Sequence, residues 1–206
     1  MNSNLHLQGV KAIPVPNYAP CVLEGAFGDV ELRRLRKQVE TLPEEEALTA
    51  GDSAMFGTAD EESDRIAKQK GIPMVEDFAW LYSKFESLCM QANFNFNWNF
   101  EMTGMFEQAI YLTYDYKVKG KYEYHMDVGG DGAMAYRKIS ATLLVNDDYE
   151  GGELVFQGAP KPDKDTPKLK AGTIIFFPSF LIHSVQPVTK GIRNSVVLWL
   201  HGKPYK

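Results

Sequence analysis

Hydrophobic residues recur at helical spacing in the first part of the chain and at strand spacing in the rest. Apolar residues three or four apart predict a helix from Asp29, a capping residue, to about Leu42. From Pro73 the same spacing predicts a second helix, through Val75, Phe78, Leu81, Phe85, Leu88 and Ala92. Residues 1–28, punctuated by prolines, are expected to be irregular. Residues 43–71 keep no apolar period, and we expect an exposed loop with a short helical turn there, with a mobile flap over a site as the alternative.

After about Asn93 the period changes to two. The runs FNFNWNF (94–100) and FEQAIYLTYDY (106–116) alternate as strands do. Further strand predictions, separated by turn residues, are 121–127, 138–145, 153–157, 173–177, 182–188 and 193–200. Helices followed by about eight short strands predict a mainly β fold with some α, a double-stranded β-helix (jelly roll) or sandwich braced by N-terminal helices. No repeat or linker divides the chain, so we expect a single domain over residues 1–206.

Composition narrows the partners and the compartment. The chain has 206 residues, 44% of them hydrophobic and 24% charged, which is ordinary for a soluble globular protein. A net charge of −5 argues against a grip on nucleic-acid phosphates, and no nucleic-acid partner is expected. Two cysteines, Cys21 and Cys89, make no disulfide framework. The N-terminus shows no signal peptide, and the longest apolar run, 173–182, is too short for a membrane span, so we expect a cytoplasmic protein without a membrane partner.

The candidate chemistry begins in a predicted strand with YEYHMD (122–127). Side chains two apart on a strand share a face, so His125 and Asp127 project together. An imidazole nitrogen and a carboxylate oxygen on one face can bind one metal ion. A His-x-Asp pair is common by chance, and two neighbouring polar residues would look the same.

His183 supplies a third candidate ligand at the start of another predicted strand. Two histidines and one carboxylate bind one face of an octahedral ion and leave other positions open, as non-haem Fe(II) oxygenases require. A histidine satisfied by the backbone is the plain alternative for His183. A zinc hydrolase would use the same ligands, so these residues alone do not fix the chemistry.

The last predicted strand adds an arginine to the same interior. Alternation over RNSVVLWL (193–200) gives one face made of Arg193, Ser195, Val197 and Trp199. An arginine inside an apolar barrel is costly unless an anion pairs with it, and a guanidinium fork suits a carboxylate. An arginine on an edge facing water is the alternative. A dicarboxylate that binds the metal at one end and Arg193 at the other fits both observations.

Three segments carry a family resemblance: YKVKGKYEYHMD (116–127), LLVNDDYEGGEL (143–154) and FFPSFLIHSVQPVTKGIRNSVVLWLHG (176–202). Together they resemble the prolyl-4-hydroxylase-like branch of the Fe(II)- and 2-oxoglutarate-dependent dioxygenases, above all the bacterial and viral PKHD-type hydroxylases. The resemblance covers roughly residues 104–202, which would be the catalytic jelly-roll core. Residues 1–103 would then be an N-terminal extension with supporting helices and the first strand.

The resemblance also assigns site residues. It implies that Fe(II) is held by His125, Asp127 and His183. It implies that Arg193, with Ser195 beside it, binds the distal carboxylate of 2-oxoglutarate.

The same family assigns a tyrosine to the cosubstrate. Tyr116 matches a family tyrosine that hydrogen-bonds 2-oxoglutarate, and Tyr114 is the rival for that role. Some relatives place another tyrosine on the strand 139–145, where the inward positions here are Ser140, Thr142 and Leu144. Thr142 or Tyr116 would have to take over that contact. Tyr122 and Trp199 are expected to be pocket walls.

The activity that the resemblance implies is hydroxylation of a C–H bond, by default in a prolyl residue of a peptide. O2 and 2-oxoglutarate would be consumed and succinate and CO2 released, with L-ascorbate as a candidate reductant. Free amino acids, other peptide side chains and small metabolites are open as substrates. The rival classes are a nucleic-acid dealkylating dioxygenase, a non-oxygenase cupin-like metal-binding barrel and an interaction domain without catalysis. The first of these normally has a second arginine six residues after the first, where this chain has Trp199.

Overall fold

The computed structural model describes residues 18–47, 64–130, 132–160, 162–163 and 165–205. Its α-helices are α1 (Asp29–Val39) and α2 (Ala79–Asn95), which confirms both predicted helices. In α1 the Glu31 carboxylate accepts the Gly28 backbone N–H at 2.9 Å, which closes the first turn. A 3-10 turn at Glu76–Phe78 precedes α2, so this helix begins later than its apolar spacing suggests.

Antiparallel strands make up most of the remaining structure. They are β1 (Cys21–Leu23), β2 (Glu45–Glu46), β3 (Arg65–Ile66), β4 (Lys68–Ile72), β5 (Met102–Gly104), β6 (Ala109–Asp115), β7 (Lys121–His125), β8 (Arg137–Leu144), β9 (Glu150–Gly151), β10 (Leu154–Phe156), β11 (Ile174–Pro178), β12 (His183–Val185), β13 (Val188–Lys190) and β14 (Ile192–Gly202). The larger sheet has the order β1-β11-β8-β14-β6-β4-β2, with β5 paired to β14. A smaller sheet has the order β10-β12-β7-β3, and β13 pairs with β9. The predicted jelly roll with N-terminal helices is confirmed.

The two faces of the larger sheet bury different residues. One face packs against α1 and α2, and its central residues are Ile139, Ala141, Leu143, Val196, Leu198 and Leu200. The other face, with the smaller sheet, lines a cavity that includes Thr142, Arg193, Ser195, Val197 and Trp199. The alternation predicted for the last strand therefore describes β14 correctly.

Short strands are where the sequence predictions are wrong. Residues 21–23 form β1 in a region expected to be irregular, and 43–71 contains β2, β3 and β4 rather than a loop alone. Strands of two to five residues carry too little alternation to be recognised, because their register comes from the neighbouring strand. Residues 48–63, the rest of that expected loop or flap, lie outside the described residues.

The run FNFNWNF is not a strand. Its first two residues end α2, and Asn97 and Asn99 have positive φ of 53° and 52°. Asparagine tolerates this left-handed conformation better than most residues. The Asn93 amide exchanges two hydrogen bonds of 3.0 Å with the backbone of Phe100, which closes the loop that follows the helix.

Neither helix in the described part of the chain is long and apolar enough to span a membrane.

Candidate metal and cosubstrate site

Three side chains predicted as metal ligands meet at one point between the strands of the smaller sheet. His125 ends β7, His183 begins β12, and the two residues pair directly in the sheet. Asp127 follows two residues after His125. The distances are 3.5 Å from His125 Nε2 to Asp127 Oδ1 and 3.7 Å from His183 Nε2 to Asp127 Oδ2. One ligand atom from each residue lies within 4.8 Å of the others, a span that one metal ion can bridge.

Backbone carbonyls fix the orientation of both imidazoles. Nδ1 of His125 lies 2.8 Å from the Glu123 carbonyl oxygen, and Nδ1 of His183 lies 2.8 Å from that of Leu181. A carbonyl only accepts, so Nδ1 carries the proton and Nε2 keeps its lone pair for a metal. Burial lowers the pKa of His183 and outweighs the opposing effect of Asp127, which favours the neutral, ligating form.

Asp127 is buried and held as a carboxylate. Burial by itself raises the pKa of Asp127, but the interactions of the carboxylate with His125 and His183 outweigh this effect, so the net pKa lies well below its ordinary value. The Asp127 backbone N–H donates to the Ser179 carbonyl at 3.0 Å. An ionised carboxylate between two neutral imidazoles is a donor set that fits a divalent metal ion.

The cluster opens into a cavity of about 260 Å³ between the two sheets. From the smaller sheet and the turn after it, the cavity is lined by Arg65, Tyr122, His125, Asp127, Leu154, His183 and Val185. From the larger sheet it is lined by Gln69, Ile110, Leu112, Tyr114, Arg137, Ala141, Thr142, Arg193, Ser195, Val197 and Trp199. Arg193 and Trp199 stand six residues apart on β14, about 20 Å at the rise of a strand, so they mark the two ends of the cavity.

Arg193 is buried, with 1% of its surface exposed. Its Nη1 donates to Ser195 Oγ at 2.8 Å. Its Nε and Nη2 have no hydrogen-bond partner among the residues the structure describes. A buried guanidinium edge without a partner is costly, so this end of the cavity fits a carboxylate.

The structure places the two candidate tyrosines differently with respect to Arg193. Tyr116 is 42% exposed and does not line the cavity. The strand β6 stops at Asp115, whose side chain caps a 3-10 turn by accepting the Lys117 backbone N–H at 2.9 Å, so the alternation ends before Tyr116. The rival, Tyr114, is buried in the cavity wall, with the Arg193 guanidinium carbon 5.3 Å from its ring centroid.

A charged network near Asp127 was not predicted from the sequence. Arg137 forms two hydrogen bonds to the Glu107 carboxylate, Nε–Oε2 at 2.7 Å and Nη2–Oε1 at 2.5 Å. His201 Nε2 lies 2.8 Å from Glu107 Oε2. The Arg137 guanidinium also stacks 3.6 Å from the Trp199 ring centroid and donates Nη1 to the Asp127 carbonyl at 3.1 Å. The available signal was a charged pair, Arg137-Lys138, opening a strand whose other residues carry no charge.

Comparison with known proteins agrees with this geometry. Residues 111–201 match the family model of the 2OG-Fe(II) oxygenase superfamily. A PKHD-type hydroxylase of Gloeothece citriformis is 41% identical over 88 residues, which is 41% of this chain and 39% of that protein. A PKHD-type hydroxylase of Shewanella oneidensis is 41% identical over 83 residues, 37% of this chain and 36% of that protein. The matched part thus spans about two fifths of each relative's length.

Solved structures extend the likeness to most of the chain. A prolyl hydroxylase from Trichoplax adhaerens, solved with a hypoxia inducible factor peptide fragment, superposes with a TM-score of 0.65 at 18% identity and covers 90% of this chain and 84% of that chain. A prolyl-4-hydroxylase from Pseudomonas putida gives 0.63 at 17% identity and covers 90% and 94%. At these identities the likeness shows the fold. The matched segment 111–201, which contains the His–Asp–His cluster and Arg193, is similar to the 2OG-Fe(II) oxygenase superfamily and to PKHD-type hydroxylases.

Proposed function

We propose that this chain is an Fe(II)- and 2-oxoglutarate-dependent dioxygenase that hydroxylates a C–H bond, by default in a prolyl residue of a peptide. The observation that carries the proposal is the pairing of two incomplete sites in one cavity. The His–Asp–His cluster offers three metal ligands, and Arg193 presents two buried N–H groups without a partner among the described residues. A cupin-like metal barrel would need the first of these sites and not the second.

Arg193 offers the edge of its guanidinium that suits a carboxylate. Nε and Nη2 are the nitrogens that Arg137 uses to bind the two oxygens of Glu107. In Arg193 the same two nitrogens are those without a partner. We assign this edge to the distal carboxylate of 2-oxoglutarate, with Ser195 holding the third nitrogen in place.

Two further side chains with hydroxyl groups line the cavity from the strands on either side of β14. Tyr114 lies under the guanidinium on β6, and Thr142 lines the cavity on β8. We assign both to the cosubstrate, with Tyr114 in place of Tyr116. Both supply a hydroxyl, so each can donate to a carboxylate oxygen.

His125, Asp127 and His183 would hold Fe(II) and leave positions open for the keto acid and O2. The bound iron and 2-oxoglutarate together supply the oxidising chemistry, with succinate and CO2 as coproducts. We expect L-ascorbate to support turnover by keeping the metal ferrous. The apolar walls, among them Val185, Val197 and Leu154, exclude water from the reacting centre.

A prolyl peptide is the default substrate because of the proteins that this chain resembles. Its curated relatives are called PKHD-type hydroxylases, and the prolyl hydroxylase of Trichoplax adhaerens was solved with a peptide. Free amino acids and small metabolites belong in the same screen.

The test is a coupled turnover assay. The protein is loaded anaerobically with Fe(II) and 2-oxoglutarate, then exposed to O2 with proline-containing peptides, free amino acids and metabolites in turn. We expect one substrate to give succinate in step with a hydroxylated product. Asp127→Ala is the control and should form no succinate. Metal binding without 2-oxoglutarate binding would instead support the cupin-like barrel.

A further inference from the structure

The side chain of Arg65, from the N-terminal part of the chain, packs against Tyr122, and Tyr122 packs against the proposed metal ligand His125. Arg65 on β3 pairs with Tyr122 on β7. The Arg65 guanidinium carbon lies 4.9 Å from the Tyr122 ring centroid. Tyr122 also contacts His125, whose imidazole stacks on the phenol ring with centroids 3.6 Å apart and planes 20° apart. We call these three contacting groups, the Arg65 guanidinium, the Tyr122 phenol and the His125 imidazole, the column.

The column adds a parallel ring contact to His125, which is more exposed than His183. The side chain of His125 is 17% exposed, against 6% for His183. His183 also meets the edge of Phe177 with centroids 4.6 Å apart. The hydrogen bond from His125 Nδ1 to the Glu123 carbonyl fixes one edge of the ring, and the His183 ring lies against it at 54° with centroids 4.2 Å apart, so neither contact is a parallel stack on the imidazole face. The near-parallel Tyr122 ring limits rotation of the imidazole out of its plane.

Arg65 in turn confines Tyr122. Arg65 is 8% exposed, and a buried guanidinium over an aromatic face is held by a cation–π attraction that strengthens where water is excluded. Burial raises the pKa of Tyr122 to about 12, so the ring between the cation and the imidazole is a neutral phenol.

We propose that Tyr122 and Arg65 are positioning residues for the metal ligand His125, a role that rests on the proposed metal-dependent function. Arg65 lies before residue 111, outside the segment that matches the superfamily model. The metal site thereby depends on a strand that the family pattern does not include.

The direction in which metal affinity changes when the Arg65 charge is removed distinguishes a positioning role from an electrostatic one. The two separations in the column, 4.9 and 3.6 Å, place the guanidinium carbon at most about 8.5 Å from the imidazole centroid. A positive charge at that distance repels a metal dication, so removal of the charge alone would tighten metal binding. Weaker binding after Arg65→Met must therefore come from loss of the column.

The experiment measures Mn(II) and Co(II) affinity without turnover. Tyr122→Leu should bind each ion about 10- to 100-fold more weakly, the usual cost of losing a group that orients a ligand. Tyr122→Phe keeps the ring and should stay within about twofold of the parent protein. Arg65→Met should weaken binding, whereas Arg33→Met, at an exposed arginine on α1, should not. The visible bands of bound Co(II) should change in Tyr122→Leu and return in Tyr122→Phe.

Two results would overturn the proposal: parental affinity and Co(II) bands in Tyr122→Leu, or equal or tighter binding in Arg65→Met. If Tyr122→Leu does not fold by circular dichroism, Arg65→Met decides. If the parent protein binds metal and the variants weaken that binding, yet no substrate gives succinate, the proposed function is wrong and the positioning role of the column is supported. If the parent protein forms succinate and Tyr122→Leu binds metal as tightly as the parent, only the positioning role of the column is wrong.

Discussion

Two arginines in one cavity wall show how a buried guanidinium is compensated. Arg137 satisfies its Nε and Nη2 edge with Glu107 inside the protein. Arg193 is more deeply buried, and no described residue forms a hydrogen bond with its Nε and Nη2. Natural structures rarely leave a buried charge in this state unless a ligand completes it. The difference between the two arginines is the clearest mark of a binding function in the molecule.

Replacing Arg193 should therefore affect the cosubstrate and spare the metal. Two charge-assisted hydrogen bonds contribute about 1.5–3 kcal/mol each, so Arg193→Ala should weaken 2-oxoglutarate binding at least about 100-fold. The affinity for Mn(II) should stay within about threefold, because no metal ligand is removed. Anaerobic calorimetry on both ligands measures the split, and Asp127→Ala is the converse control that loses the metal. Unchanged 2-oxoglutarate affinity in Arg193→Ala would refute the assignment of this anchor.

Gly152 shapes the space that Arg193 occupies. Its φ is +68°, and a methyl group added there would lie 2.8 Å from Arg193 Cδ and 3.1 Å from Val188 Cγ2. Gly152→Ala should destabilise the fold by about 1–3 kcal/mol through backbone strain and also weaken 2-oxoglutarate binding by displacing Arg193. Gly158→Ala is the matched control, since Gly158 has a φ of +80° with nothing within 4 Å. Equal loss of cosubstrate affinity in both variants would show that strain, not contact with Arg193, is responsible.

The sequence predicted single residues well where alternation holds and poorly where it breaks. His125, Asp127, His183 and Arg193 lie on or beside strands whose period of two places them in the cavity. Tyr116 lies outside the cavity because β6 ends one residue earlier, at a turn capped by Asp115. Which residue ends a strand depends on such local hydrogen bonds, and hydrophobic periodicity does not report them.

At the scale of elements, a bulge in β8 places Arg137 in the cavity. Leu200 of β14 pairs with Ile139, but the next residue, His201, pairs with Arg137, so Lys138 is an extra residue. In a regular strand Arg137 and Ile139 would share a face, and Ile139 belongs to the core beneath the helices. The extra residue turns Arg137 to the opposite face, where it meets Trp199. Sequence alternation alone would have placed this arginine wrongly.

The charged network that this bulge creates ties β8 and β14 to the segment before β6. Burial raises the pKa of Glu107, but its hydrogen bonds to Arg137 and His201 prevail, and the pKa falls to about 2. A carboxyl whose pKa is lowered on folding stabilises the protein above its ordinary pKa, near 4.5, and loses that contribution as the pH falls towards 2. The full contribution is on the order of 3 kcal/mol.

Glu107→Gln should remove this pH dependence. We expect the free energy of unfolding of the parent protein to fall more steeply than that of the variant between pH 5 and pH 2, because glutamine has no proton to gain. Urea unfolding followed by circular dichroism at several pH values measures both slopes. Glu150→Gln is a suitable control, since that carboxylate forms only an exposed pair with Lys190. Parallel slopes for the parent protein and Glu107→Gln would contradict the role given to the network.

For the whole molecule, the sequence predicted the overall architecture better than the short strands and the way they pair. The long buried strands and both helices have a clear period, so a jelly roll braced by helices followed from them. Arg65 and Gln69 line the cavity from the short strands β3 and β4, whose residues show no usable pattern. Their places depend on pairing with β7 and β6, which only the folded molecule reveals.

These pairings bear on the expected division of the chain at residue 103. β4 pairs along five residues with β6, β3 pairs with β7, and both helices cover the core face of the larger sheet. Residues 104–202 alone would expose Ile139, Leu143, Val196, Leu198 and Leu200, which are at most 1% exposed in the whole molecule. We therefore still propose that the full chain forms a single domain, and a shortened chain tests this directly.

A chain of residues 104–202 should not reach the native state. It keeps all three proposed metal ligands and Arg193, yet it loses the apolar cover of one sheet face and the strands that pair with β6 and β7. We expect a broad, non-cooperative thermal transition, strong binding of a hydrophobic dye and at least about 100-fold weaker Mn(II) binding, since the energy of the lost core is many times the net stability of a domain. The full chain, treated identically, is the control. Cooperative unfolding with parental metal affinity in 104–202 would show that the jelly roll stands alone, and that the N-terminal strands and helices are an addition to a self-sufficient site.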